Sequence, residues 1–386
     1  MLTRRPLLAA LPVLLLFTPA AAAQIVVSAN DGKAALVDGV TTTVPDAPPD
    51  TLTVIDLGVS PPRVLGEIPV PASVVGPPES VAVSPDESFA LVTAATKLDP
   101  ADPSKTVPDT RLTVVDLTVS PPAILQTLEA GRGASGVSLN PSGTLALVAN
   151  RIDGTVSVFT VADRTLTPAG TIEFGAPESG PCHVAFTRDG RRALVTRNND
   201  SLISLLEVDG ARVTYTGRDL AAGLKPYSIQ VSPAAPIAIV AHVGAGPTGG
   251  ADVVSIIDLA AEPPRAIEHV SVGPVAEGIA ISPDGRYLAV TVMNGTNAPP
   301  SSPFFNRAGR LRVFRITERT LTPIGETPIG RWCQGTAWSR DGRTLLAQCM
   351  LEREIQVFRF DGRRLTPSGA IKVSGGPAGI RTAGPR

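Results

Sequence analysis

A short turn signature recurs six times along this chain, and it constrains the fold more than any other feature. The copies read Ser84-Pro85-Asp86-Glu87, Asn140-Pro141-Ser142-Gly143, Thr187-Arg188-Asp189-Gly190, Ser232-Pro233-Ala234-Ala235, Ser282-Pro283-Asp284-Gly285 and Ser339-Arg340-Asp341-Gly342. Successive copies lie 56, 47, 45, 50 and 57 residues apart, in or near the period of a propeller blade. Proline suits the first central position of a type I turn, aspartate bonds back to the backbone, and the last glycine accepts a left-handed conformation. Apolar runs flank each turn, as at 278–281 and 287–290, so each copy predicts a β-hairpin.

A third strand is expected after each hairpin, at 51–57, 111–117, 155–161, 202–208, 253–259, 310–316 and 354–360. That makes seven third strands against six turns. A fourth strand follows, for example at 166–174, 321–329 and 365–373. The first unit lacks its innermost strand, because 24–30 aligns with the second strand of the other units. The missing piece is at the other end, where 377–382 resembles the inner strand 276–281. The expected fold is all-β: a seven-bladed β-propeller of four-stranded blades, a single domain over 24–386. Its closing blade is formed from about 24–76 plus 377–386, which leaves no open sheet edge. Abundant Gly (36) and Pro (38), with few aromatics, fit many short strands, and no substantial helix is expected beyond the leader.

Residues 1–23 read as a cleaved signal peptide: Arg4 and Arg5, an apolar stretch from Leu7 to Phe17, then Ala21 and Ala23 at a small-residue cleavage site. Thr3-Arg4-Arg5 also resembles a twin-arginine signal, so the export route stays open. A periplasmic or secreted location is expected, with no membrane span after cleavage. Without Arg4 and Arg5, 32 of the 34 basic side chains face 35 acidic ones, a net of −3. That balance points to neither nucleic acid nor an anionic membrane as partner. A closed ring needs no second copy to fold, so a monomer is expected.

The repeats resemble those of the YVTN-type and lactonase-like propellers. The nearest single segment is Gly180-Pro181-Cys182-His183-Val184-Ala185-Phe186-Thr187-Arg188-Asp189-Gly190, which is similar to the GP-x-H-x-x-F-x-x-D-G strand of the phosphogluconolactonase-type family. That resemblance implies a propeller whose enzymatic members open or close lactone rings. Unlike the family's pattern, Ser232-Pro233-Ala234-Ala235 and Ala241-His242-Val243 stand where a regular turn and an Asn-Arg pair belong.

Aligning the turns places one inner-strand residue per blade at each level of the central channel. The first level reads Glu79, Ser135, Cys182, Tyr227, Glu277, Gln334 and Ala378; all but the last are candidate ligand-binding residues, with His242 beside them. The next level reads Ser80, Gly136, His183, Ser228, Gly278, Gly335 and Gly379, small residues expected to keep the channel open around one imidazole. The same face carries long insertions at 32–50, 94–110, 243–251 and 295–308, the kind of loops that form lids or partner surfaces. Phe304 and Phe305 lie in the last of them, as binding anchors or as loop core.

The leading functional expectation is binding of a small molecule or protein partner on this face. The alternative is a lactonase-like hydrolase or isomerase with His183 as base, Arg197 as electrostatic stabiliser and Glu79 or Glu277 as a second carboxylate. A third reading is an accessory scaffold for an exported dehydrogenase. No cofactor is expected, since no dinucleotide, phosphate-loop or haem-attachment motif occurs. No metal site is expected either: there are three histidines, and His269 falls in an outer strand. Cys333 and Cys349 face each other across the last hairpin, where export permits a disulfide. Cys182 is then left over beside His183, either as an activated nucleophile or as inert packing.

Overall fold

The computed structural model describes residues 24–384; the signal-peptide assignment falls outside the described residues. Seven four-stranded antiparallel sheets form the ring. Blade 1 is Gly376–Thr382, Ile25–Asp31, Thr51–Asp56 and Arg63–Pro69, from the axis outward. The inner strands of blades 2 to 7 are Val81–Val83, Ala134–Leu139, Pro181–Phe186, Pro226–Val231, Ala276–Ile281 and Cys333–Trp338. Ring closure follows the expected route: the C-terminal strand pairs antiparallel with the N-terminal one, Val26 with Thr382 and Asn30 with Pro377.

The recurring turn earns its sequence by one repeated arrangement. In blades 2, 4, 6 and 7 the first hydroxyl donates to the turn aspartate at 2.6 Å, Ser84 to Asp86, Thr187 to Asp189, Ser282 to Asp284 and Ser339 to Asp341. The same hydroxyl accepts the backbone N–H five residues on, which closes the hairpin. The glycine adopts φ of 67 to 72° in four copies, and Glu87 adopts 61° in its place. Blade 5 lacks aspartate and glycine; there the amides of Ala234 and Ala235 turn to the Ser232 hydroxyl instead.

Apolar layers between neighbouring blades are the core. Between blades 5 and 6, Val254 and Ile256 pack with Leu288, Val290 and Phe314. Across the closure, Val26, Ile55 and Ile380 of blade 1 meet Leu346 and Val357 of blade 7. Burying a side chain of this kind contributes roughly 1.5–3 kcal/mol. Near the axis, threonines stitch three of the neighbouring pairs of blades: Thr93 donates to the Ser135 carbonyl, Thr196 to that of Tyr227 at 2.8 Å, and Thr291 to that of Gln334.

Two insertions form hairpins of their own, Ala34–Val37 with Val40–Thr43 and Thr96–Leu98 with Thr106–Pro108. The first is anchored by buried Lys33, which donates to Asp50 at 2.9 Å and lies 3.4 Å from Asp31. Its Ala34 and Leu36 pack on a small apolar cluster of Val74, Val275, Met293, Trp332 and Ala378 over the channel mouth. Its tip crosses to the 295–308 loop, where a Cβ on Gly39 would lie 2.4 Å from the Pro299 nitrogen.

The channel differs from expectation at its second level. The glycines there do not hold it open; they admit close backbone. A Cβ on Gly136 would lie 2.6 Å from the Cys182 carbonyl oxygen, and one on Gly278 2.6 Å from that of Gln334. Pro78 fills the centre, 2.9 Å from a Cβ built on Gly335 and 3.0 Å from one on Gly278. The inner strand of blade 2 is only three residues long because 76–80 leaves the sheet and runs into the axis. There the Pro78 carbonyl accepts the Ile380 amide of blade 1 at 2.9 Å.

Candidate functional site

A cavity of about 260 Å³ opens at the channel mouth between blades 3 and 6, lined by Arg151, Asn198, Lys225, Tyr227, Glu277 and Asn297 among others. Arg151 follows the second strand of blade 3. Its Nη1 donates to Cys182 Sγ at 2.6 Å, and its guanidinium sits 5.8 Å above the Tyr227 ring. Cys182 donates its own proton to the Gly180 carbonyl at 3.3 Å. Burial pushes the Cys182 thiol up to about 11 despite the nearby Arg151 charge, so it is a neutral support for the guanidinium rather than an activated nucleophile.

Glu277 faces Arg151 across this cavity and is buried. Desolvation and the neighbouring Glu79 raise its carboxyl to about 8, with Arg151 pulling the other way. Burial raises Glu79 to about 7, opposed by Arg381 and by its hydrogen-bond contact with Ser228. Tyr227 is held well above its ordinary value by burial and then by Glu277, so its hydroxyl stays protonated. The arrangement joins a carboxyl able to exchange protons near neutral pH to a fixed cation, in a cavity lined by further amides.

The structure brings Cys182, Tyr227 and Glu277 together, with Glu79 one step deeper. Ser135 is buried with its hydroxyl unpartnered; Gln334 donates to the Trp332 carbonyl at 3.2 Å and leaves its Oε1 without a partner. His183 and Arg197 are not brought together. The His183 ring points along the axis, its Nδ1 accepting the Ile229 amide at 3.2 Å. Burial, then the Arg381 charge, holds it well below its ordinary value. Arg197 points outward along its own blade, to Asp219 at 3.1 Å and to Asp200, with Phe174 beneath it at 5.2 Å.

His242 also faces outward. Ser255 donates to the Ala222 carbonyl at 2.5 Å, so its lone pairs take His242 Nε2 and His269 Nδ1, each at 2.9 Å. His269 is therefore joined to the blade 5 histidine rather than isolated from it. Burial lowers His242 to about 4, leaving it neutral and unable to replace a lost arginine. Cys333 and Cys349 are disulfide-bonded, with Cα atoms 4.0 Å apart. Phe304 is exposed and lies against Gly249 of the neighbouring loop. No group of three or more His, Cys, Asp or Glu side chains suited to a metal gathers among the described residues.

Two residues were not among the candidate catalytic or ligand-binding residues, although Arg151 falls on the face expected to carry function. Arg151 sits in an Asn-Arg pair two blades before the place where such a pair was sought. Arg381 is the one charged residue at an inner-strand level otherwise occupied by Ala82, Ser138, Ala185, Gln230, Ala280 and Ala337. A larger cleft of about 380 Å³ lies away from the axis beside blade 3. Its acids are already engaged, Asp153 by Arg132 and Glu129 by Thr110.

The fold is that of a seven-bladed β-propeller with four-stranded blades. The family model described as "Lactonase, 7-bladed beta-propeller" matches residues 106–225. Among solved structures, a candidate 6-phosphogluconolactonase of Bacteroides fragilis is 18% identical, with a TM-score of 0.71 over 95% of this chain and 99% of that one. The periplasmic gluconolactonase of Pseudomonas aeruginosa is 17% identical, with a TM-score of 0.64 over 93% and 99%. A functionally unknown protein of Desulfotomaculum acetoxidans is 16% identical, with a TM-score of 0.66 over 87% and 96%. At these identities the likeness is one of fold. No curated protein matches the chain by sequence.

Proposed function

We propose that this protein hydrolyses or isomerises a lactone-type ring in the cavity between Arg151 and Glu277. The observation that carries the reading is that pair: a fixed guanidinium facing a buried carboxyl whose pKa is raised to about 8. Ring opening builds negative charge on the carbonyl oxygen and needs a base for water. Arg151, braced by Cys182 and Tyr227, is placed to stabilise that oxyanion. Ionised Glu277 takes the proton from the attacking water and returns it to the ring oxygen as that bond breaks. The roles expected of His183 and Arg197 pass to these two residues.

A cavity of about 260 Å³ suits one sugar-sized ring. The lactonase family match and the gluconolactonase among the similar structures favour this chemistry over binding alone. Among the described residues no helix is long and apolar enough to cross a membrane, and the expected leader sets the reaction outside the cytoplasm.

Binding of a partner without turnover is the second reading. It is favoured by exposed Val37, Val40, Ile152 and Leu224 on the insertion-bearing face. The deciding test is proton release against a panel of sugar and hydroxy-acid lactones, with Glu277→Gln as the control. Turnover lost in that variant supports the enzyme. Wild-type rates no faster than spontaneous hydrolysis on every lactone leave the binding reading.

A further inference from the structure

Near the axis two hydrogen-bond donors meet, with only the Ser138 hydroxyl in reach of the imidazole to accept from one of them. His183 Nδ1 accepts the Ile229 amide at 3.2 Å, so the ring proton sits on Nε2. That Nε2 lies 3.5 Å from Arg381 Nη1, which also carries only protons. The opposite tautomer would turn the donor conflict onto the closer Ile229 contact and is the worse choice. Ser138 offers Nε2 a long contact at 3.4 Å, while giving its own proton to the Val184 carbonyl at 2.6 Å.

Arg381 has no acceptor. Among the described residues no carboxylate or carbonyl oxygen lies within hydrogen-bond reach of its guanidinium. Glu79 is the nearest acid in electrostatic terms, yet its Oε2 is taken up by Ser228 at 2.8 Å. Its carboxyl, raised to about 7, is not held ionised as a paired partner would be. Around Arg381, the matching inner-strand positions are Ala82, Ala185, Ala280 and Ala337. Those alanines pack into the apolar layers between blades and offer the cation no acceptor. The Arg381 side chain is half-buried, on the stretch of inner strand that leads to the recurring turns and away from the insertions.

We propose that the channel holds a small anion, a carboxylate or a halide, between Arg381 and the Nε2–H of His183. The site is separate from the cavity beside Arg151 and shares no lining residue with it. Arg381 stands near the end of its inner strand, and the Pro78 segment packs at the axis against the glycines of blades 6 and 7. A guanidinium in a low-dielectric surround binds a carboxylate by charge-assisted hydrogen bonds, and the imidazole N–H supplies a further one.

Bromide and acetate are the probes. Crystals soaked in bromide should show an anomalous peak between Arg381 and His183, and that peak should vanish in Arg381→Gln. Acetate affinity, followed by the wild-type thermal midpoint, should fall about tenfold or more in the same variant. If Arg381→Gln fails to fold, the wild-type protein still decides by ¹⁵N NMR. The His183 ring should report the Nε2–H form and shift on acetate addition. Bromide peaks elsewhere with none at this place, or a His183 ring unmoved by acetate, would overturn the proposal.

Discussion

Glu79 reaches from blade 2 across the propeller axis to blade 5, where its Oε2 lies 2.8 Å from Ser228 Oγ. Ser228 also lies 2.7 Å from the carbonyl oxygen of Glu277, and a hydroxyl has one proton for two acceptors. The carbonyl can only accept. The arrangement is fully satisfied when Glu79 is itself protonated and donates to Ser228, in keeping with a carboxyl raised to about 7.

This makes stability depend on pH with a definite sign. Glu79 rises from 4.5 to about 7 on folding, so between those values the native state binds the extra proton. Its contribution is therefore fully present below about 4.5 and is lost as pH climbs to about 7. Glu79→Gln keeps the shape and donates to Ser228 at every pH. Relative to wild type it should gain on the order of 3 kcal/mol between pH 4.5 and pH 7.5. Urea unfolding at the two pH values measures the difference, and an unchanged gap would contradict a protonated Glu79.

Thiol chemistry gives a second test. Cys333 and Cys349 are bridged, and Cys182 is fully buried with its thiol pushed up to about 11. The native protein should take up no alkylating reagent at pH 8. Unfolding without reductant should expose one thiol, and unfolding with reductant three. Rapid labelling of the native protein would mean that Cys182 is reached from the cavity and carries thiolate character.

The ring was legible because one period repeats in the chain and each turn must solve the same hydrogen-bonding problem. Ser84, Thr187, Ser282 and Ser339 do so alike. The closing strand was legible because 377–382 carries the pattern of its sisters without its own hairpin. The site was legible only as a level of the channel. Alignment put Cys182, Tyr227 and Glu277 at one height, but side-chain direction is not periodic, and Arg197 turned outward to Asp219. Glycines at 136, 278 and 335 looked like open space. In three dimensions they are places where Pro78 and neighbouring backbone come close, which a one-dimensional pattern does not distinguish.

Arg197 separates a structural from a catalytic role. Its side chain is buried against Phe174 and paired with Asp200 and Asp219, both partly open to water. Arg197→Met should cost about 2–3 kcal/mol of stability, read from the denaturant midpoint, since it strands two half-hydrated acids. Turnover per folded molecule should stay within about twofold of wild type. A loss of hundredfold in kcat with stability intact would return Arg197 to the reaction and displace Arg151.

The acid-base assignment makes the last and sharpest prediction. If ionised Glu277 activates water, kcat/KM for a lactone should rise with pH and level off above about 8, after subtraction of hydroxide-catalysed ring opening. Arg151 lowers the Glu277 pKa, so removing its charge must raise it. Arg151→Met should therefore move the rising limb to higher pH as well as reduce the plateau by about 100-fold, the scale of losing one oxyanion donor. Glu277→Gln should abolish the limb altogether. Cys182→Ser should keep the bond to Arg151 and leave the limb near its wild-type position, whereas Cys182→Ala releases the guanidinium and should lower the plateau. A limb that stays in place in Arg151→Met would show that the two side chains are not coupled, and would remove the basis for placing the chemistry in this cavity.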